Sequence, residues 1–283
     1  MKKNKVIDLT LFLIIYIFAY AIGFLSSLII ENMLLKTLVF DVVSTIVIWI
    51  FSLILKNSSI YDAYWSLTPF VILTYVLLTA EYVNIYHILF YVSFSFWSFR
   101  LTINWITTFS NRKWEDWRYK MYRENHPKLW PIINFFGIQM MPTLFVYSAL
   151  VPAILLFAKN ASPLSLLGSS IIVVGTLLEL FADRQMHAFL RTTTEKVTCR
   201  RGLWKYSRHP NYLGEILIWV GVYCSLLLTD YSLWFTFIGI IIMLFLFIVI
   251  SIPMMEKRQV NRRSDYKDYQ KKTSILLILP NKK

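Results

Sequence analysis

The stretch GLWKYSRHPNYLGE, residues 202–215, concentrates polar and charged side chains between two long apolar runs. Pro210 suits the first turn of a helix, so the segment predicts a helix that begins there with free backbone N–H groups. Such a helix start attracts anions, and the forked guanidinium of Arg208 matches phosphate oxygens. Tyr212 offers a ring face to a planar base, and Asn211 can hydrogen-bond an amide. The segment therefore predicts either a site for a nucleotide-like cofactor or a capped helix end with interfacial aromatic residues.

A second group of polar residues lies inside apolar runs. Glu179, Asp183 and His187 recur every four residues in ELFADRQMHAF, and Arg100 and Asn104 have the same spacing in SFRLTINW. Residues four apart share one face of a helix. Charges inside membrane spans mark either a site or an ion pair between helices, and a stripe longer than one pair favours a polar cavity. No metal site is predicted, because the four histidines are scattered along the chain.

Eight apolar runs form the elements that position these groups. The chain is 57% hydrophobic and 16% charged, whereas soluble domains carry about 25% charged residues. Runs of this length are typical of transmembrane helices. We expect an all-α polytopic membrane helix bundle, a single integral membrane domain over residues 1–283, with about eight transmembrane helices. The predicted spans are 7–30, 33–55, 65–82, 85–109, 132–158, 163–190, 211–228 and 231–254.

The basic residues indicate which side of the membrane is the cytoplasm. Lysine and arginine precede the first span and follow the second, fourth, sixth and eighth, whereas only Lys36 and Lys159 lie on the opposite side. The positive-inside rule then places both termini in the cytoplasm. The net charge of +13 reflects either this topology or an anionic ligand at the cytoplasmic face. Nucleic acid is not expected as a partner, because no soluble module is present.

Residues 256–283 form a predicted cytoplasmic tail after the last span. Tyr266 and Tyr269 are three residues apart among basic residues and would share a helix face. The tail is either an amphipathic surface helix or a lid that folds back over the cytoplasmic opening. The eight glycines of the chain include no G-x-G pair, so any nucleotide would be held by side chains between helices.

Four motifs occur in a recognisable order: YDAYWSL (61–67), RLTINW with EDWRY (100–119), ELFADRQMHAF with GLWKYSRHPNYLGE (179–215), and EKR to LP (256–280). Together they resemble the membrane-embedded steroid 5α-reductase superfamily, in its branch with an extra N-terminal helix, over residues 60–283. The resemblance implies an NADPH-dependent enzyme that transfers a hydride to an activated C=C bond of a lipophilic substrate. The stretch RHP-x-Y-x-G is also similar to isoprenylcysteine methyltransferases, so a membrane methyltransferase that uses S-adenosylmethionine is the alternative.

The resemblance also assigns site residues. It implies that Asp62 and Tyr64 are the catalytic groups that polarise a substrate carbonyl. Glu179 stands where steroid reductases carry asparagine, and Trp97 stands where a tyrosine is expected, so the proton donor and the substrate stay open. The cofactor-binding residues that it implies are Arg100, Asn104, Arg118, Tyr119, Glu179, Asp183, Arg208, His209, Asn211, Tyr212, Tyr266 and Tyr269.

Three functional classes remain open at this stage: the reductase, the methyltransferase, and a non-enzymatic lipid scaffold or transporter. The expected partners are a lipophilic small-molecule substrate and membrane lipids, and no protein partner is evident. The host membrane would be a bacterial inner membrane or the endoplasmic reticulum.

Overall fold

The computed structural model describes residues 2–281, and this part of the chain is 78% helical with no strand. The helices are α1 Lys2–Ser27, α2 Met33–Ile54, α3 Tyr61–Thr79, α4 Ile85–Thr108, α5 Trp117–Asn125, α6 Trp130–Ile133, α7 Met141–Leu156, α8 Ser165–Thr192, α9 Pro210–Leu227, α10 Ile238–Phe245, α11 Ile252–Arg262 and α12 Tyr266–Lys272. Segments of π-helix, Asn134–Met140 and Leu246–Ser251, connect α6 to α7 and α10 to α11.

Every apolar run predicted as a span coincides with a helix or an unbroken series of helical segments. This agreement confirms the all-helical class, and the apolar helices identify the chain as a multi-pass membrane protein. The count of eight spans and the cytoplasmic position of both termini stay predictions. Five helices are long and apolar enough to cross a membrane, namely Asn4–Ser27, Met33–Ile54, Trp130–Leu156, Ser165–Thr192 and Tyr231–Arg262.

The described residues pack as two compact units. Unit 1 contains the chain up to Val83 together with Ser98–Asn160, and unit 2 contains Asn84–Trp97 and the chain from Ala161 onward. The boundary at Trp97 falls within α4. The prediction of one integral membrane domain is not tested by this division.

Aromatic residues dominate the core of unit 1. Phe12 and Tyr16 from α1 pack there with Ile48 from α2 and with Tyr61 and Tyr64 from α3, all of them at most 5% exposed. Burying side chains of this size removes a large apolar area from solvent, which stabilises the unit. The core therefore fixes α3, the helix that carries both predicted catalytic residues.

Four glycines bring α8 and α9 into direct backbone contact in unit 2. Gly168 and Gly175 face Gly221 and Gly214, and an ideal Cβ on Gly175 would lie only 2.6 Å from the carbonyl oxygen of Gly214. Small residues at this seven-residue spacing allow two membrane helices to approach closely. The close approach holds the polar stripe of α8 beside the beginning of α9.

Candidate functional site

The prediction that a helix begins near Pro210 is confirmed, because α9 begins at that residue. The preceding loop is attached to α8 at Gly202, whose φ of +55° favours glycine and whose ideal Cβ would lie 2.3 Å from Oε1 of Gln185. The same Gln185 oxygen accepts a hydrogen bond from the Leu203 N–H at 2.8 Å. These contacts fix the loop on α8 shortly before α9 begins.

A cavity of about 250 Å³ lies in unit 2 where α8, the loop, the start of α9 and the tail meet. Asp183 and His187 contribute to its wall from the α8 stripe, whereas Glu179 does not line it. Instead, Glu179 is 6% exposed at the contact of α8 with α9, where an ideal Cβ on Gly214 would lie 2.9 Å from its Cγ. The predicted cofactor residues that line the cavity are Asp183, Arg208, His209, Asn211, Tyr212, Tyr266 and Tyr269.

The guanidinium of Arg208 makes several contacts to the tail. Nε donates a hydrogen bond to Oε1 of Glu256 at 2.6 Å, and Nη1 donates to the carbonyls of Gln270 at 2.7 Å and Thr273 at 2.8 Å. The backbone N–H of Arg208 also donates to the carbonyl of Ser274 at 2.9 Å. The side chain predicted to bind phosphate thus anchors the tail while it lines the cavity.

The tail lies against the loop, as a lid would. The Tyr269 hydroxyl donates to the carbonyls of Trp204 and Ser207, the latter at 3.1 Å, and Asp265 accepts a bond from Thr198 Oγ1 at 2.7 Å. These bonds hold α12 on the loop as part of the cavity wall, which agrees with the lid interpretation. They disfavour an amphipathic helix that lies alone on the membrane surface.

Two tyrosines of the tail face the cavity in protonated form. Tyr266 is 3% exposed and Tyr269 is 2% exposed, and their rings meet edge to face at 5.6 Å. Burial raises the pKa of both phenols above the usual value, so neither ionises near neutral pH. Both can therefore act as hydrogen-bond donors or as ring faces, and neither adds negative charge to the cavity.

Two groups on the cavity wall retain hydrogen-bonding capacity. Within the described part of the chain, the Arg263 guanidinium has neither an ion pair nor a hydrogen bond, and the buried Oδ1 of Asn211 has no hydrogen-bond partner. A buried acceptor without a donor carries a desolvation penalty of about 1–3 kcal/mol. An anion bound near Arg263 would pair with its guanidinium, and an N–H or O–H donor near Asn211 would satisfy its Oδ1. Arg263 is not among the site residues predicted from the sequence, because a basic doublet does not reveal which side chain turns inward.

In unit 1, Asp62 is hydrogen-bonded to Tyr119, whose hydroxyl donates to Oδ1 at 2.7 Å. Burial, together with the nearby charge of Asp116, raises the pKa of Asp62 to about 7, against the lowering effects of Arg118 and of hydrogen bonds from Tyr119 and Ser59. The Arg118 guanidinium donates from Nε to Asp116 at 2.8 Å. The structure therefore brings together Asp62, Arg118 and Tyr119, three predicted residues from two separate motifs.

Tyr64 belongs to a different cluster from Asp62. Residues two apart on a helix do not share a face, and the Tyr64 hydroxyl lies 3.3 Å from Oδ1 of Asp41. Thr45 Oγ1 donates to the Tyr64 hydroxyl at 3.3 Å. The two residues predicted as a catalytic pair thus have separate partners. Asp41 is not among the site residues predicted from the sequence, although a carboxylate inside the predicted span 33–55 is itself a signal.

The remaining predicted cofactor residues, Arg100 and Asn104, lie on the part of α4 that belongs to unit 1. Arg100 is 7% exposed and Asn104 is half-buried, and each has interacting neighbours. In unit 2, Trp97 and Trp219 donate their indole N–H groups to the two carboxylate oxygens of Glu215 at 2.9 Å and 3.0 Å. Glu215 was quoted in the sequence motif without a role, and its burial at 3% exposure was not evident from the sequence. Among residues 2–281, no three His, Cys, Asp or Glu side chains are grouped closely enough to hold a metal ion.

Comparison with known proteins places this chain among uncharacterised relatives. A family model described as a protein of unknown function, DUF1295, matches residues 48–273. An uncharacterised protein of Schizosaccharomyces pombe is 28% identical over 205 residues, and the match covers 62% of this chain and 60% of that protein. The chain therefore spans about 60% of the length of this curated relative. No solved structure matches the chain significantly.

Proposed function

The chain belongs to the DUF1295 family of proteins of unknown function, and we propose that it is an NADPH-dependent membrane oxidoreductase that reduces an activated C=C bond of a lipophilic substrate. The family is related to steroid 5α-reductase-like proteins, which supports reductase chemistry. The observation that carries the proposal is the cavity in unit 2, which is lined by seven residues expected at a dinucleotide site.

The chemistry of the cavity fits one end of a dinucleotide. Arg263 supplies a guanidinium for a phosphate, and the orphaned Oδ1 of Asn211 can accept an N–H bond from a carboxamide. The ring of Tyr212 stacks on His209 with centroids 5.3 Å apart and planes 9° apart, which presents a flat surface at the start of α9. When bound, NADPH would supply the hydride.

The volume of the cavity bears on the role of the tail. Ligand pockets usually have volumes of about 300–1,000 Å³, and this cavity has about 250 Å³. It therefore accommodates part of a dinucleotide in the conformation described. We infer that the tail moves outward when the cofactor enters and that the bonds from Arg208 and Tyr269 close it again.

Asp62, a residue of unit 1 predicted to be catalytic, is a candidate for the group that holds a proton. A general acid works best when its pKa lies near the working pH, and the pKa of Asp62 is raised to about 7. We assign Asp62 the role of holding the proton and Tyr119 the role of orienting the carboxyl through its 2.7 Å hydrogen bond. This assignment replaces the expected partner Tyr64 by Tyr119. The Asp41–Tyr64 pair is 5% and 1% exposed, and we assign it a structural role.

Cofactor titration of purified protein tests the proposal. NADPH and S-adenosylmethionine are titrated separately by calorimetry into wild type and Asn211→Leu. We expect saturable NADPH binding, no response to S-adenosylmethionine, and affinity for NADPH about tenfold lower in Asn211→Leu. Because the leucine removes a buried acceptor without a partner, its melting temperature should be unchanged or higher. Binding of S-adenosylmethionine alone would favour the methyltransferase, and binding of neither would reject both enzymes.

A further inference from the structure

A second cavity, of about 360 Å³, lies in unit 1 between α1, α2 and α3. Its walls are mainly apolar, with Phe24 from α1, Phe40 from α2, and Phe70, Ile72 and Leu78 from α3. The volume lies within the usual range of about 300–1,000 Å³ for ligand sites. Two of the three helices are long and apolar enough to span a membrane. Because the cavity between them has a mainly apolar lining, it favours a ligand that is hydrocarbon for most of its length.

Most polar groups on this wall are already engaged. Tyr20 shares a hydrogen bond with Thr68 at 3.0 Å, and Thr37 Oγ1 donates to the Met33 carbonyl at 2.8 Å. Ser27 donates to the carbonyl of Phe24 at 2.9 Å. These hydroxyls are therefore satisfied within the protein and have little to offer a ligand.

Lys36 and Tyr75 are different. Within residues 2–281, neither the Lys36 ammonium nor the Tyr75 hydroxyl has a hydrogen bond or an ion pair, and both residues are half-buried on the cavity wall. Placing a half-buried ammonium beside an apolar cavity costs free energy unless an anion accompanies it. The ammonium group of Lys36 and the uncharged hydroxyl of Tyr75 can each donate a hydrogen bond to one oxygen of a carboxylate.

We propose that this cavity binds a long-chain carboxylate, with the carboxylate at Lys36 and Tyr75 and the hydrocarbon chain along the aromatic wall. One lysine balances one negative charge, which favours a carboxylate over a doubly charged phosphate monoester. The inference goes beyond the proposed function, because the site needs no NADPH.

Native mass spectrometry of NADPH-free protein in a zwitterionic detergent tests the site. Oleate and oleyl alcohol share one chain and differ in charge, and they are added at equal concentration. We expect a one-to-one oleate complex in wild type, with oleyl alcohol bound at least tenfold more weakly. Lys36→Gln should lower oleate affinity about tenfold and leave the alcohol unchanged. Lys159→Gln, an exposed lysine of the same unit, should change neither.

A variant that fills the cavity separates binding there from binding elsewhere. Val71 lines the cavity, and Val71→Phe should reduce binding of both lipids while the melting temperature stays close to wild type. Equal affinity for oleate and oleyl alcohol, or unchanged oleate binding in Lys36→Gln, would overturn the proposal. An NADPH titration on the same preparation reports on the proposed function separately, so failure of one does not imply failure of the other.

Discussion

Arg208 and Glu256 form a nearly buried ion pair, with Nε 2.6 Å from Oε1 and with side chains that are 10% and 12% exposed. His209 Nε2 lies 3.2 Å from the same oxygen. The pair joins the start of α9 to α11, and Nη1 of Arg208 donates to carbonyls at the end of α12 and just beyond it. One side chain thus connects the loop motif of residues 202–215 to the tail that covers the cavity.

Replacing Arg208 by alanine should destabilise the protein and release the tail. Removing one member of a buried ion pair costs about 3–5 kcal/mol, because the other charge stays buried without a partner. We expect a lower melting temperature and faster tryptic cleavage at Lys271 and Lys272. Glu256→Gln should show the same faster cleavage, since it breaks the same pair from the other side. A tail equally protected in all three proteins would contradict the anchoring role.

Arg263→Ala should weaken NADPH binding without destabilising the fold. Its guanidinium has no ion pair or hydrogen bond within residues 2–281, so no such bond is lost. A hydrogen bond to a charged group contributes about 1.5–3 kcal/mol, which corresponds to a loss of affinity of about tenfold to a hundredfold. Calorimetric titration and a melting curve measure the two effects on one sample.

Arg262→Ala is the matched control for this prediction. The neighbouring arginine is exposed and does not line the cavity. Its removal changes the net charge by the same amount, so a general electrostatic effect would appear in both variants. Equal losses of affinity in the two would show that the tail attracts the cofactor only through its overall charge, and Arg263 would then lose its specific role.

The sequence predicted the helices well because apolar length and the proline at position 210 act locally. It predicted only part of the lining of the cavity in unit 2: Asp183 and His187 share a helix face and both line it, whereas Glu179, one turn earlier on the same stripe, does not. It did not predict that Arg208 would bind Glu256, because that contact joins segments 48 residues apart. The separation of Asp62 from Tyr64 follows from helix geometry and was obscured by treating YDAYWSL as one motif.

Gly214→Ala should destabilise unit 2. The new Cβ would lie 2.7 Å from the carbonyl oxygen of Gly175 and 2.9 Å from Cγ of Glu179, so α8 and α9 would have to separate. Overpacking of this kind costs about 1–3 kcal/mol, and the melting temperature should fall. Gly137→Ala is the control, because nothing lies within 4 Å of its ideal Cβ. A Gly214→Ala protein as stable as Gly137→Ala would mean that the helix contact adjusts freely.

The stability of the protein should depend on pH through Asp62. Its pKa rises from 3.8 to about 7 on folding, with burial as the largest cause. Between these values the folded state holds a proton that the unfolded state releases, so this residue makes stability fall as pH rises from about 4 to 7. Asp62→Asn removes the ionisation, so its melting temperature relative to wild type should be higher at pH 8 than at pH 4. Melting curves across that range measure the difference, and Glu81→Gln, at an exposed carboxylate of the same unit, is the control. Parallel pH profiles for wild type and Asp62→Asn would show that Asp62 ionises at an ordinary pKa and would remove it as the proposed proton donor.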